Sequence, residues 1–145
     1  YHTNTSHVIP ALIRRFHEAK LNNQHEVVVW GSGTPMREFL YVDDMAEASL
    51  FVHNINRSLL ASHTLPTLSH INVGTGKEVT IRELSELIRD IVGYAGTLVF
   101  DTKRPDGAKR KQLNVNLMSQ LGWKAKTSLR SGLIKSYSDY LERQS

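Results

Sequence analysis

The stretch VVVWGSGTPMREFLYVDDMA, Val27 to Ala46, decides how the rest of the chain is read. From Glu26 to Trp30 a β-branched run predicts a strand. Gly31, Gly33 and Pro35 force a turn, and Arg37 to Val42 is expected to return as a second strand. Asp43 and Asp44 place negative charge where a helix begins. Met45, Ala48, Val52 and Ile55 are its expected buried face. Strand, turn, strand and helix in such close succession indicate a mixed α/β chain.

The flanking segments extend this alternation. Upstream, Ile9, Leu12, Ile13, Phe16 and Lys20 fall at helical spacing, with Ser6 as the expected cap and Pro10 in the first turn. Downstream, residues 58–69 are expected to be a loop and His70 to Val73 a short strand ending at Gly74–Thr75–Gly76. Thr80 and Glu83 then form a capping box. Ile81, Leu84, Leu87, Ile88 and Ile91 give that helix its apolar stripe, and Gly93 ends it. Thr97 to Phe100 predicts another strand, residues 101–111 a basic loop, and Leu117 to Leu121 a short helix. A last helix, from about Ser128 to Arg143, is expected to bury Leu129, Leu133, Tyr137 and Leu141. No G-x-G-x-x-G follows a strand, so a dinucleotide site of the chain's own is not expected.

Composition narrows the function classes. A chain of 145 residues is sized for one domain with a real core. With 40% hydrophobic and 22% charged residues it reads as a soluble globular protein. The absence of cysteine removes disulfides and thiol catalysis from these residues. No apolar run approaches the ~20 residues needed to span a bilayer, and the first residues lack signal-peptide regions. A cytoplasmic setting is therefore expected. The seven histidines show no metal spacing, so no metal site is expected. A net charge of +4 suits an anionic ligand, weakly.

Within Trp30 to Phe39, glycines allow the backbone to approach a ligand, and Arg37 is suited to a two-pronged contact with phosphate. A structural turn with a surface arginine is the plainer alternative. The wider pattern resembles the GDP-L-fucose synthases, a family of extended short-chain dehydrogenases/reductases. The resemblance rests on SHVIPALIRRFHEA (Ser6 to Ala19), the Val27 to Ala46 stretch and SHINVGTG (Ser69 to Gly76). It continues in TIRELSELI (Thr80 to Ile88), RPDGAKRK (Arg104 to Lys111) and LGW (Leu121 to Trp123), and so covers nearly the whole chain. It implies the C-terminal, substrate-binding part of such an enzyme, with the Rossmann core largely absent. The family epimerises GDP-4-keto-6-deoxy-D-mannose at C3 and C5 and reduces its 4-keto group with NADPH. The family's NADP loop, Tyr-x-x-x-Lys and acid/base cysteine find no match here. The resemblance thus implies a GDP-sugar-binding chain that is inactive alone, with NADP(H) held mainly by the other half.

Residue by residue, His7 matches the family's epimerisation histidine, which also lies near the cofactor. An imidazole with a pKa near ~6.5 suits proton exchange at carbon beside a ketone. Arg15, Trp30, Arg37 and Asp106 match substrate contacts, and Lys111 is a further candidate. Arg104, Lys109 and Arg110 read as a solvated basic rim. Asn114 stands where relatives commonly have Asp, and reads as a turn or cap residue. The resemblance also implies a homodimer for the whole enzyme. Segments 43–57 and 70–73 are expected to pack on the cofactor domain, so the isolated chain is expected to self-associate through Met45, Val52, Ile71 and Val73. Two alternatives stand beside this reading: another nucleotide-sugar epimerase or dehydratase, and a nucleic-acid-binding module built on the basic loop. Pro105, Asp106 and Gly107 interrupt that loop and no aromatics interleave it, which disfavours nucleic acid.

Overall fold

The computed structural model describes residues 6–68 and 70–144. The mixed α/β class holds. In order come α1 (Val8–Leu21), β1 (Glu26–Trp30), β2 (Met36–Glu38), α2 (Val42–Asn54), α3 (Arg57–His63) and β3 (Glu78–Thr80). They are followed by α4 (Ile81–Val92), β4 (Thr97–Asp101), β5 (Arg110–Lys111), α5 (Asn116–Gln120) and α6 (Leu129–Glu142). Strands β1 and β4 pair in parallel, with Val28 opposite Val99 and Trp30 opposite Asp101. A three-stranded sheet has the order β3-β2-β5. Contacts divide the chain into two compact units, one of residues 1–37, 79–110 and 130–145 and one of 38–78 and 111–129.

In the first unit, α1 buries Leu12, Ile13, Phe16 and Ala19, and α4 buries Leu84, Ser85, Ile88 and Val92. Each fully buried large side chain contributes about 1.5–3 kcal/mol. Lys20, expected in the apolar stripe, instead sends its ammonium 2.8 Å to the Val92 carbonyl at the C-terminal end of α4, a favourable place for a cation. The cap of α1 is His7 rather than Ser6, and its side chain makes no capping bond. The capping box of α4 is present in full, Thr80 Oγ1 accepting from the Glu83 amide and Glu83 accepting from Thr80. Glu83 is thereby held below its ordinary carboxyl range, first by the Thr80 backbone N–H and then by its hydroxyl. Along α6 the buried residues are Gly132, Leu133 and Tyr140, while Leu141 faces solvent. Tyr137 accompanies Tyr140 in a cluster with His17, whose Nδ1 lies 3.0 Å from the Tyr137 hydroxyl.

The second unit closes around Ala48, Met118 and Trp123, with Leu40, Phe51, Val52, Ile71, Val73 and Ala125 packed against them. Three expectations change here. The return strand after the glycine turn ends at Glu38 rather than Val42. Residues 57–63 form α3 instead of loop, because the Asn56 side chain accepts from the Ser58 and Leu59 amides and so starts a helix. No strand forms at His70 to Val73, which has no strand to pair with among the described residues. Ile71 and Val73 turn into the core instead. Val52, Ile71 and Val73 are thus partly buried against this core. Among residues of α2, Val42, Met45 and Leu50 are the exposed large apolar ones, so Met45 is not on the buried face expected for it.

Asp44 does more than start α2. Its buried carboxylate accepts from the Lys126 amide (3.2 Å), the Thr127 amide (2.9 Å) and the Thr127 hydroxyl (3.1 Å). Asn114 behaves as a turn residue, its Oδ1 accepting from the Asn116 amide at 3.0 Å.

Candidate functional site

Four of the residues singled out in the sequence meet around one cavity of about 220 Å³ in the first unit: Arg15, Trp30, Arg37 and Asp106. Its apolar wall comes from Val8, Leu12, Val29 and Ile81. Helix α1 supplies Arg15 because position 15 falls beside the buried Leu12 and Phe16, at the edge of the apolar stripe. Arg15 Nη1 donates 3.3 Å to the Val28 carbonyl, which fixes the guanidinium beside β1. Alternation along β1 buries Val27 and Val29 and turns Trp30 outward, 60% exposed. The Arg15 guanidinium stands 5.6 Å from the Trp30 ring centroid.

Arg37 sits just past the glycine turn in β2, half-buried, and Nη1 donates 2.7 Å to the Met36 carbonyl. Loop 102–107 reaches the same cavity with Pro105, Asp106 and Gly107. Asp106 is fastened there at both oxygens: Oδ1 accepts from the Ser32 amide at 2.8 Å and Oδ2 from its hydroxyl at 2.7 Å. These bonds, the hydroxyl's first, hold the Asp106 carboxyl below its ordinary range and keep it ionised. The turn must be glycine at position 31, where φ is +87° and a Cβ would overlap Asp106 Oδ1. Asp106 thus has a positioning task that the motif alone did not indicate.

His7 is exposed at the N-cap of α1, next to the cavity residue Val8. Lys111 is exposed in β5, belongs to the second unit and is not among the cavity's lining residues. Sequence reasoning missed Ser32, since a serine between two glycines carries no local sign of a carboxylate more than seventy residues away. Arg104, read as rim, is 60% exposed, and its guanidinium stands 4.9 Å from the Trp30 ring centroid.

The second glycine turn, Gly74–Thr75–Gly76, belongs to the second unit. Glu38 Oε1 accepts from the Gly76 amide at 2.7 Å, and Oε2 accepts from the Leu113 amide at 3.0 Å. A phosphate-binding turn presents such amides to its ligand. Here the Gly76 amide is given to the chain's own carboxylate. Among the described residues no group of three or more His, Asp or Glu could hold a metal ion, and no helix is long and apolar enough to cross a membrane.

Comparison with known proteins gives one consistent neighbourhood. The family described as NAD dependent epimerase/dehydratase family matches residues 1–74. The chain is 56% identical over 144 residues to the GDP-L-fucose synthase of Escherichia coli (strain K12), covering 99% of this chain and 45% of that protein. It is 50% identical over 142 residues to GDP-L-fucose synthase 1 of Arabidopsis thaliana, covering 98% and 41%. The chain therefore spans less than half the length of these relatives. Among solved structures, MlghC, a GDP-mannoheptose C4 reductase from Campylobacter jejuni with NADP bound, superposes with a TM-score of 0.80 at 34% identity, over 97% of this chain and 46% of that one. A GDP-L-fucose synthetase from Naegleria fowleri bound to NADP gives 0.81 at 25% identity, over 96% and 41%.

Proposed function

The chain belongs to the NAD dependent epimerase/dehydratase family, and from that premise we propose that it is the GDP-sugar-binding part of a GDP-L-fucose synthase. One observation carries the reading: two arginines and an outward tryptophan ring surround a single cavity, in a chain that matches enzymes of that name along nearly its whole length. Arg15 and Arg37 pair with the diphosphate, and Trp30 offers a flat apolar face to a ring of the nucleotide sugar. The whole enzyme converts GDP-4-keto-6-deoxy-D-mannose to GDP-L-fucose by epimerisation at C3 and C5 and NADPH-dependent reduction of the 4-keto group. Within it, His7 moves protons at the carbons flanking the ketone, where an imidazole is effective near neutral pH.

NADP(H) is held mainly by the other half of the whole enzyme, with His7 beside it; that the Gly76 amide of the second glycine turn is taken by Glu38 is in keeping with this. The 145 residues alone then catalyse neither step. The setting is cytoplasmic, and the whole enzyme pairs as a homodimer.

The reading is tested by calorimetry with GDP-mannose, UDP-glucose and dTDP-glucose. Preference for the guanine nucleotide supports it. Equal or tighter binding of a UDP- or dTDP-sugar moves the chain to another nucleotide-sugar epimerase or dehydratase. A salt-sensitive complex with nucleic acid in place of any nucleotide sugar favours the basic-loop reading.

A further inference from the structure

The Gly31–Ser32–Gly33 turn gives its Ser32 amide and hydroxyl to Asp106. Its carbonyls go elsewhere, to the first turn of α4. There the Arg82 amide donates to the Gly33 carbonyl at 2.9 Å, and the Ile81 amide to the Pro35 carbonyl at 3.0 Å. Amides at a helix start have no partner within their own helix, so they are available for this work. The Arg82 side chain adds a further bond, Nη2 donating 3.0 Å to the Ser32 carbonyl. With a charged donor it belongs to the stronger kind.

Phe100 completes the clamp. The Arg82 guanidinium stands 3.9 Å from the centroid of that ring. The same ring backs Gly33, where φ is +78° and a Cβ would overlap it. Phe100 is itself fixed in β4, opposite Val29 of β1. One ring thus locates both the guanidinium and the turn it holds.

Arg82 is not among the cavity's lining residues, whereas Gly33, Pro35, Ile81 and Asp106 are. Its influence runs through the peptide between Ser32 and Gly33. While that peptide is held, the Ser32 amide and hydroxyl stay directed at Asp106, and the cavity-lining loop of Pro105, Asp106 and Gly107 stays in place. We propose that Arg82 is a positioning residue of this cavity, holding the Ser32 carbonyl against Phe100 so that Ser32 can fasten Asp106. This rests on the nucleotide-sugar reading of the cavity and deepens it.

The test uses the 145-residue chain and its Arg82→Met and Arg82→Lys variants, with two readouts. Methionine keeps helix propensity and an apolar stem for the ring but removes the donor; lysine keeps a donor. The first readout needs no ligand: carbon-13 NMR follows the Asp106 carboxyl against pH. In the unaltered chain the Ser32 bonds hold its midpoint below the ordinary 3.8. Arg82→Met is expected to raise that midpoint toward the ordinary value, and Arg82→Lys to leave it near that of the unaltered chain. In calorimetry with GDP-mannose, Arg82→Met is expected to weaken binding roughly 3- to 10-fold, with Arg82→Lys recovering most of the loss. A residue that merely stabilises α4 would lower the urea midpoint and leave the Asp106 titration where it was. An unmoved Asp106 titration in Arg82→Met therefore overturns the inference, whatever happens to stability. So does an undiminished GDP-mannose affinity in a chain that binds this nucleotide. If the unaltered chain binds no GDP-mannose, the nucleotide reading falls by itself, and the Asp106 titration alone decides whether Arg82 positions Ser32.

Discussion

The chain contains two glycine turns of similar composition, Gly31–Ser32–Gly33 and Gly74–Thr75–Gly76, each fastened by a carboxylate of the chain itself, and they differ in what lies beside them. At the first, a carboxylate arrives from a distant loop and fastens to Ser32, and an arginine-lined cavity stays open beside it. At the second, Glu38 reaches into the turn itself, close enough that a Cβ on Gly74 would overlap its Oε1. Glycine lets a backbone come near something, but sequence alone does not say whether that something is a ligand or the chain's own side chain. In both turns the chain's own carboxylate makes the close approach, Asp106 at Gly31 and Glu38 at Gly74, and the first turn also borders the arginine-lined cavity. The first turn thus belongs to the candidate site; the second is a structural lock.

The comparison yields tests that run from catalysis down to the acid limb of one carboxylate. If the open cavity is where chemistry happens, His7→Gln in the whole enzyme lowers solvent-deuterium incorporation at C3 and C5 by roughly 100- to 10,000-fold, the worth of general acid–base help. Exchange at the unaltered rate would remove His7 from the mechanism. Arg37→Ala and Arg15→Ala each weaken GDP by roughly 10- to 100-fold, with the urea midpoint unmoved. A folded variant with undiminished affinity in calorimetry would return that arginine to the plain surface-turn reading.

The lock behaves in the opposite way. Glu38→Gln sets an amide N–H₂ against donors that a carboxylate accepted, and is expected to cost about 1–3 kcal/mol in urea unfolding. GDP affinity stays as it was. A loss of affinity without loss of stability would mean that the two turns do not divide function and structure as described. The smallest effect is in acid. The Asp106 carboxyl is held below its ordinary value of 3.8 by the Ser32 hydroxyl and then its amide. Its share of loop stability is complete above that ordinary value and drains only as pH falls through the lower folded one. Trp30 fluorescence should therefore be flat from pH 7 to about 5 and change below about 4, and Asp106→Asn should remove that limb. A transition near neutral pH that Asp106→Asn abolishes would contradict the latch.

Most elements were legible because local chemistry decides them. Thr80 and Glu83 announced the start of α4, Gly93 its end, and the β-branched run its strand. What was not legible depended on partners far away in sequence. His70 to Val73 has the composition of a strand, yet a strand exists only with something to pair with. Residues 58–63 have the composition of a loop, and it is Asn56, accepting from two amides, that starts a helix there. In the site, Arg15, Trp30, Arg37 and Asp106 were identified from motif matches and do converge. Ser32 was not, because its role is set by a contact across the fold that the local sequence does not announce.

The chain carries two tryptophans, which gives its central claim a direct readout. Trp30 is 60% exposed at the cavity, and Trp123 is 4% exposed in the core of the second unit. Each contributes one indole N–H resonance to a nitrogen-15 NMR spectrum. Titration with GDP-mannose is expected to move the Trp30 resonance saturably while that of Trp123 stays in place. A Trp30 resonance that does not move at millimolar ligand, or a Trp123 resonance that moves in its stead, would contradict the account.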